Sequence, residues 1–298
     1  MTFRDSASGS GGGEGVRRRG RGRGGTVAAG GGGLAIVALV VYLLTGQDLG
    51  GVIGGGGGDG GAAPAEEETL GECTGADANT DVDCRMVLTW GSLHDVWEVT
   101  LPEQADIDHR RPEFVLFEQS VDTGCGGATS AVGPFYCPPD ESAYIDTGFF
   151  DQLETQLGAE NAPLAQMYIL AHEYGHHVQN ETGVMATANR TDTGPQSDGV
   201  RLELQADCYA GMWVNHASRV PQEETGEPML VEPTREEIQD ALDAASAVGD
   251  DRIQAGAGQE VNPETWSHGS SEQRMHWFTV GYEDGTMQAC DTFAVDQL

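Results

Sequence analysis

Between positions 161 and 183, apolar residues recur among polar ones with the period of an amphipathic helix. Apolar side chains recur at i, i+3, i+4 and i+7 and therefore share one helical face: Leu164, Met167, Tyr168 and Ala171. Asn161 can cap this helix, Pro163 is tolerated in its first turn, and Gly183 is typical of a stop. The pattern predicts one long helix with a buried face.

Similar patterns predict the other elements of the chain. Helical spacing recurs at 86–101, 149–157, 199–218 and 234–248. Short apolar runs predict strands at 113–117, 134–137 and 143–146, and the pair Pro138-Pro139 forms a turn between the last two. A helix, then short strands, then several helices indicate an α+β fold with one core.

The first 72 residues have a different character. A basic cluster at 17–23 precedes an uncharged apolar stretch at 27–44, which approaches the about 20 residues that cross a bilayer. We predict a disordered basic cytoplasmic tail at 1–25, a transmembrane helix at 26–46, a Gly-rich linker at 47–72 and one folded domain at 73–298.

The arginines of this tail predict the orientation in the membrane. The positive-inside rule keeps them in the cytoplasm. The chain is therefore expected at the cell membrane as a single-pass protein, in contact with the lipid bilayer, with its C-terminal domain outside the cytoplasm. A cleaved signal peptide is the alternative, because the densest apolar run, at 34–44, is short.

Charge limits the partners of the domain. The chain has a formal net charge of −33 at pH 7 and contains no lysine. Such a surface repels phosphate backbones, so we expect no nucleic-acid partner. We attribute the acidity to solubility rather than to selection of cationic substrates.

The chemistry is concentrated in the sequence His-Glu-Tyr-Gly-His at 172–176. Residues i and i+4 are neighbours on one helical face, so the imidazoles of His172 and His176 can bind one Zn²⁺. Glu173 can then act as general base toward a water molecule that the zinc activates. The context predicts one catalytic zinc rather than a surface helix with two unrelated histidines.

A catalytic zinc usually has a third protein ligand. The longer metzincin motif would place a histidine at position 182, which is Thr182. Glu203 and Asp207 are four residues apart on the next predicted helix. We predict Glu203 as the third ligand and Asp207 as the acceptor for the second N–H of a ligand histidine. Small residues on that helix allow close packing: Ala206, Ala210 and Gly211.

Six cysteines without a C-x-x-C pair indicate disulfides rather than a cysteine metal site. Proximity in the sequence favours Cys73–Cys84 and Cys125–Cys137, which leaves Cys208–Cys290. A mixture of bridges and buried thiols is the alternative. His109 lacks the spacing of a metal ligand, and His177 points away from the predicted site, so we expect a packing or surface role for both.

Four segments resemble the bacterial neutral zinc metallopeptidase family, the YpfJ-like proteins: 125–146, 172–179, 203–208 and 268–274. The resemblance covers about residues 73–298. It implies a gluzincin-type site on a zincin-like fold, with an active-site helix pair, a short β-sheet and an N-terminal membrane anchor. His268 and Arg274 also resemble the His-x5-Arg pattern of membrane CAAX-type zinc proteases. That pattern implies that both are catalytic and hold the oxyanion. The alternative is that His268 is a structural histidine and Arg274 a surface arginine.

These features predict a membrane-anchored extracytoplasmic zinc metallopeptidase, an endopeptidase that cleaves peptide or protein substrates with a zinc-activated water. A zinc amidase that acts on a non-peptide cell-envelope substrate would use the same residues. A catalytically silent zinc-containing binding module is the other alternative, although such a module needs no general base at Glu173.

Overall fold

The computed structural model describes residues 1–11, 13–19, 67–222 and 225–298. In these ranges the chain forms nine strands: β1 (Ser8–Ser10), β2 (Val16–Arg19), β3 (Glu67–Thr69), β4 (Glu72–Thr74), β5 (Glu113–Phe117), β6 (Ser120–Thr123), β7 (Gly126–Thr129), β8 (Phe135–Cys137) and β9 (Ser142–Asp146). They also contain nine α-helices: α1 (Gly75–Ala78), α2 (Val82–Ala105), α3 (Phe149–Thr155), α4 (Pro163–Glu181), α5 (Val184–Thr187), α6 (Asp198–Ala217), α7 (Arg235–Ala247), α8 (Asp250–Gly256) and α9 (Ser271–Asp284). The predicted α+β class is confirmed.

The largest sheet has five strands in the order β3-β2-β5-β9-β8. β5 is parallel to both β2 and β9, whereas β8 is antiparallel to β9 and forms one edge. Alternation along β5 gives the sheet two buried faces. Phe114 and Leu116 belong to the main core, while Val115 and Phe117 pack into a smaller cluster beside the β6–β7 hairpin.

The main core lies between this sheet and the helices. Trp90 of α2 joins the two layers, because its ring lies 4.9 Å from Phe114 and 4.7 Å from Tyr174 of α4. α6 and α9 pack very closely, since a Cβ atom added at Gly211 would lie 2.1 Å from the carbonyl oxygen of Phe278. Most of α4 and α6 is therefore buried, and both helices are held firmly in place.

The N-terminal residues depart from the sequence prediction. The expected disorder of residues 1–25 is wrong for residues 1–11 and 13–19, which include β1 and β2. Val16 is fully buried, and the basic run finds acidic partners in the domain, because Arg17 pairs with Glu113 and Arg18 pairs with Asp83. Residues 67–72, predicted as linker, contribute to β3 and β4.

The same packing places the basic run next to the folded domain. β2 is hydrogen-bonded to β5, so Arg17–Arg19 lie beside the domain. The predicted transmembrane helix at 26–46 lies outside the described residues. Within the parts of the chain that are described, no helix combines the length and the apolar character needed to cross a bilayer.

Candidate metal centre

The structure brings the three predicted ligands together between α4 and α6. His172 and His176 lie on successive turns of α4, and Glu203 faces them from α6. The Nε2 atom of His172 is 3.2 Å from Glu203 Oε2, and that of His176 is 3.5 Å from Glu203 Oε1. One donor atom from each residue lies within 4.8 Å of the other two. Two imidazole nitrogens and a carboxylate oxygen thus converge on a common point.

Close contact between the two helices makes this convergence possible. A Cβ atom added at Gly175 would lie 3.1 Å from both the Cα and the carbonyl oxygen of Ala206. Because no side chain separates the helices there, the short carboxylate arm of Glu203 reaches the imidazoles. Gln179 strengthens the contact, since its Nε2 donates to the carbonyl of Leu202 at 2.7 Å and to Gln205 Oε1 at 3.1 Å.

Both imidazoles are oriented by a hydrogen bond at Nδ1. His172 Nδ1 lies 2.8 Å from Asp207 Oδ1, and His176 Nδ1 lies 2.8 Å from Gln179 Oε1. Because a carboxylate only accepts, the proton of a neutral His172 is held on Nδ1 and its Nε2 lone pair points toward Glu203. Asp207 was predicted for this position. Gln179 was missed, although its spacing three residues after His176 was a usable signal.

Asp207 is the centre of a buried polar network. Its Oδ1 also accepts hydrogen bonds from Tyr168 Oη at 2.6 Å and from Arg274 Nη2 at 2.9 Å. Asp207 is fully buried and Arg274 is 3% exposed. Burial works to raise the pKa of Asp207, but Arg274 and His172 outweigh it and hold that pKa below its usual range. The carboxylate therefore stays ionised beside the imidazole of His172.

Arg274 contacts the buried network of Asp207 through its Nη2 atom. Its guanidinium contacts Asp207 and lies 3.3 Å from His172 Nδ1, on the side of the ring away from Glu203. Part of the side chain still lines the cleft. These contacts suit a residue that positions Asp207, because the donating nitrogen is directed at that carboxylate.

Glu173 lines the cleft beside the converging donors. It is 7% exposed, and burial raises its pKa to about 7, with a further contribution from Glu203 and an opposing one from His172. A carboxylate of this kind holds a proton more readily than an exposed one, which suits proton transfer near neutral pH.

His268 enters the same cleft from the segment before α9. Its Nδ1 lies 3.0 Å from Asp250 Oδ1, and Asp250 Oδ2 accepts hydrogen bonds from the backbone N–H groups of Ser267 and His268, both at 2.7 Å. Burial works to lower the pKa of His268, but Asp250 outweighs it and the pKa is raised. Asp250 fixes the ring so that Nε2 is available to the cleft. Asp250 was not among the residues predicted from the sequence.

The cleft itself has a volume of about 290 Å³. Residues of β8 and α3 line it, including Phe135, Tyr136 and Phe149. Further walls come from Met185, Leu202 and other apolar side chains: Ile169, Val248 and Ile253. An apolar cleft with a few convergent polar groups is typical of a binding site for an organic substrate.

A second cluster contains His109, His177 and Glu181. Each facing nitrogen already has a protein partner. His109 Nδ1 lies 2.7 Å from Glu181 Oε2, its Nε2 lies 2.7 Å from Tyr174 Oη, and His177 Nε2 donates to the carbonyl of Arg110 at 2.7 Å. These contacts form a buried hydrogen-bond network with α4, and His177 is packed inside the protein, one of the two roles expected for it.

The three predicted disulfides are confirmed: Cys73–Cys84, Cys125–Cys137 and Cys208–Cys290. Cys125–Cys137 joins the turn between β6 and β7 to β8, and Cys125 lines the cleft. Cys208–Cys290 ties the C-terminal segment to α6, one residue after Asp207. Two of the bridges therefore brace the walls of the site.

Comparisons with known proteins place the chain in one family. The sequence family described as "Putative neutral zinc metallopeptidase" matches residues 3–293. "Uncharacterized protein Rv2575" of Mycobacterium tuberculosis is 51% identical over 257 residues, which cover 86% of each chain. "Uncharacterized protein YpfJ" of Escherichia coli K12 is 37% identical over 210 residues, or 69% of this chain and 67% of YpfJ. No solved structure matches.

Proposed function

Because the chain belongs to the neutral zinc metallopeptidase family, we propose that it is a zinc-dependent peptidase that hydrolyses peptide bonds in peptide or protein substrates. The observation that carries this proposal is the convergence of His172, His176 and Glu203 beside Glu173. The donor set fits zinc, since imidazole nitrogens and a carboxylate oxygen are common zinc ligands in catalytic sites. Three ligands leave a coordination position for substrate chemistry.

The roles of the surrounding residues follow from their contacts. Zinc, when bound, supplies Lewis-acid polarisation of a carbonyl group and makes water a stronger acid. Glu173 takes a proton from the attacking water on its carboxylate and passes that proton to the leaving amine nitrogen. Its raised pKa suits both steps, because a base near the working pH can accept and then release a proton.

His268 stabilises the developing oxyanion from the cleft side in this proposal. Asp250 accepts from Nδ1 and raises the pKa of His268, so the protonated imidazolium can also donate from Nε2 to the substrate oxygen. A donor of this kind typically contributes about 2.7–4 kcal/mol to transition-state stabilisation. We assign Arg274 to positioning rather than to the oxyanion, because its guanidinium is directed at Asp207.

The zincin-like fold and the endopeptidase activity are parts of the same proposal. The helix pair α4–α6 and the adjacent sheet support a zincin-like arrangement. β8 is an edge strand, and its residues Phe135 and Tyr136 line the cleft. An extended substrate could add to this edge as a further strand. We propose an endopeptidase because an edge strand can bind a peptide along its length, which suits cleavage of an internal bond.

The compartment is also proposed. Three disulfides support action in an oxidising environment outside the cytoplasm. Anchoring to the membrane through residues 26–46 stays a prediction. The position of β2 beside β5 does not fit an N-terminus on the opposite side of a membrane from the domain.

Peptide cleavage by the zinc-loaded full chain tests the proposed activity. We would incubate the protein with a peptide library, identify products by mass spectrometry, and repeat the assay with a chelator. Glu173→Gln should keep stoichiometric zinc and lose roughly 10²–10⁴-fold in rate, as expected for a general base. Glu154→Gln, an exposed carboxylate on α3, is the matched control and should keep full activity.

Three results would overturn the proposal. The first is cleavage that continues in the presence of a chelator, and the second is equal rates for the wild type and Glu173→Gln. The third is zinc-loaded protein that cleaves no peptide in the library. If that protein instead hydrolyses a non-peptide cell-envelope amide, the amidase alternative replaces the peptidase. If it hydrolyses neither, the binding module does.

A further inference from the structure

An exposed arginine, Arg190, lines the active-site cleft. It lies in the segment between α5 and α6, and this segment contacts the loop that carries His268, because Gly194 donates to the carbonyl of Trp266 at 2.8 Å. Across the described ranges, no carboxylate lies within ion-pairing distance of Arg190.

The other charged groups of the cleft are balanced. Arg274 pairs with Asp207 at 2.9 Å, and His268 pairs with Asp250 at 3.0 Å. The inference about Arg190 rests on the proposed function. In that function, the carboxylates of Glu203 and Glu173 together offset the two positive charges of zinc. Among the described residues that line the cleft, Arg190 is then the one charged group without a partner. The cleft therefore attracts an anion at Arg190.

The cleft that Arg190 lines is largely apolar. Met185, Leu202 and Ile253 line the same cleft, and each is nearly buried. A substrate that fills the cleft displaces water from it, so an ion pair formed there is screened less than one on an open surface. A guanidinium can also grip a carboxylate through two parallel hydrogen bonds.

We propose that Arg190 is a specificity-determining residue that binds a carboxylate of the peptide substrate. The apolar lining accommodates hydrophobic side chains of the same substrate. The preferred substrate class is therefore a peptide that combines apolar residues with a carboxylate near the scissile bond. The carboxylate can belong to an acidic side chain or to the C-terminus of the peptide.

Matched peptides test this assignment. We would first identify a peptide that the wild type cleaves and then compare versions with Glu or Gln at each position, and with a free or amidated C-terminus. The wild type should prefer one carboxylate-bearing version in kcat/KM by roughly 10–100-fold, the range for hydrogen bonds to a charged group. The Glu/Gln pair and the acid/amide pair distinguish the two sources.

Variants of Arg190 then link the preference to this residue. Arg190→Ala should abolish the preference, and Arg190→Lys should retain only part of it, because an ammonium lacks the planar fork. Arg190→Glu should reverse the preference toward a Lys-containing peptide. Arg235→Ala removes the same charge from an exposed arginine outside the cleft and should leave the preference intact.

Binding measurements keep this test separate from the proposed activity. Calorimetry with zinc-loaded Glu173→Gln protein should give tighter binding of the carboxylate-bearing peptide, and adding Arg190→Ala should remove the difference. Cleavage by the wild type with equal preference in Arg190→Ala would overturn the Arg190 assignment alone. Discrimination in binding without any cleavage would instead support Arg190 and overturn the peptidase.

Discussion

The substitution Asp207→Asn tests whether the buried network behind His172 serves both folding and metal binding. The amide keeps the volume of the side chain but removes its charge. Asp207 Oδ1 accepts from His172, Tyr168 and Arg274 within 2.6–2.9 Å, so a single substitution alters three contacts. Two separate losses are expected.

The first loss is in stability. Arg274 is 3% exposed, and removal of its carboxylate leaves a buried guanidinium without a counter-charge. Breaking a buried ion pair in this way typically costs about 3–5 kcal/mol. The second loss is in zinc affinity. An outer partner that orients a ligand histidine typically contributes about 10–100-fold to metal affinity.

Two measurements separate these losses. Denaturant unfolding in excess chelator gives the free energy of unfolding without metal, and competition with a chromophoric chelator gives the zinc affinity of the folded protein. Asp243→Asn, an exposed carboxylate on α7, is the matched control and should change neither quantity. The double variant Asp207→Leu with Arg274→Met should recover much of the stability, because it removes both charges, but should not recover the zinc affinity.

Either of two results would contradict the dual role of Asp207. One is a zinc affinity of the double variant equal to that of the wild type. The other is an Asp207→Asn protein that unfolds within about 0.5 kcal/mol of the wild type, the range typical of surface substitutions.

Three further changes probe neighbouring parts of the site. Glu203→Gln should lower zinc affinity by more than the roughly 10–100-fold expected for an outer partner, and full zinc content after dialysis would remove Glu203 from the ligand set. Gly175→Ala should separate α4 from α6 and weaken zinc binding, since the new Cβ would lie 3.1 Å from Ala206. Overpacking of this kind typically lowers the free energy of unfolding by about 1–3 kcal/mol. The higher helix propensity of alanine offsets about 1 kcal/mol of that loss. Unchanged zinc affinity would contradict that packing argument. Asp250→Asn and His268→Ala should each retain zinc and reduce kcat by up to roughly 10²-fold. If the losses of the two variants add in the double variant, Asp250 and His268 do not share one role.

Local patterns in the sequence were sufficient for the central helices. The apolar period of α4 and the spacing of His172 and His176 are both local, and the same holds for Glu203 and Asp207 on α6. Gln179 could also have been found, because it lies on the same helix as His176. The predicted helix 86–101 begins earlier in the structure, at Val82, because Asp81 caps it by accepting from the Cys84 N–H.

Other features depend on contacts between distant parts of the chain. The Gly- and Arg-rich composition of the N-terminus is typical of disorder, and β2 is ordered through its pairing with β5 and with Glu113 and Asp83. Asp250 meets His268 only because α8 lies against the segment before α9. α9 itself was missed, although Ser270 and Gln273 form a capping box that the sequence already displayed.

Zinc-edge anomalous diffraction from crystals of the zinc-loaded protein tests the metal centre most directly. We predict a single strong peak about 2.0–2.2 Å from the Nε2 atoms of His172 and His176 and from a carboxylate oxygen of Glu203. A peak at His109, His177 and Glu181 instead, or no peak between α4 and α6, would contradict the proposed site and the peptidase chemistry that depends on it.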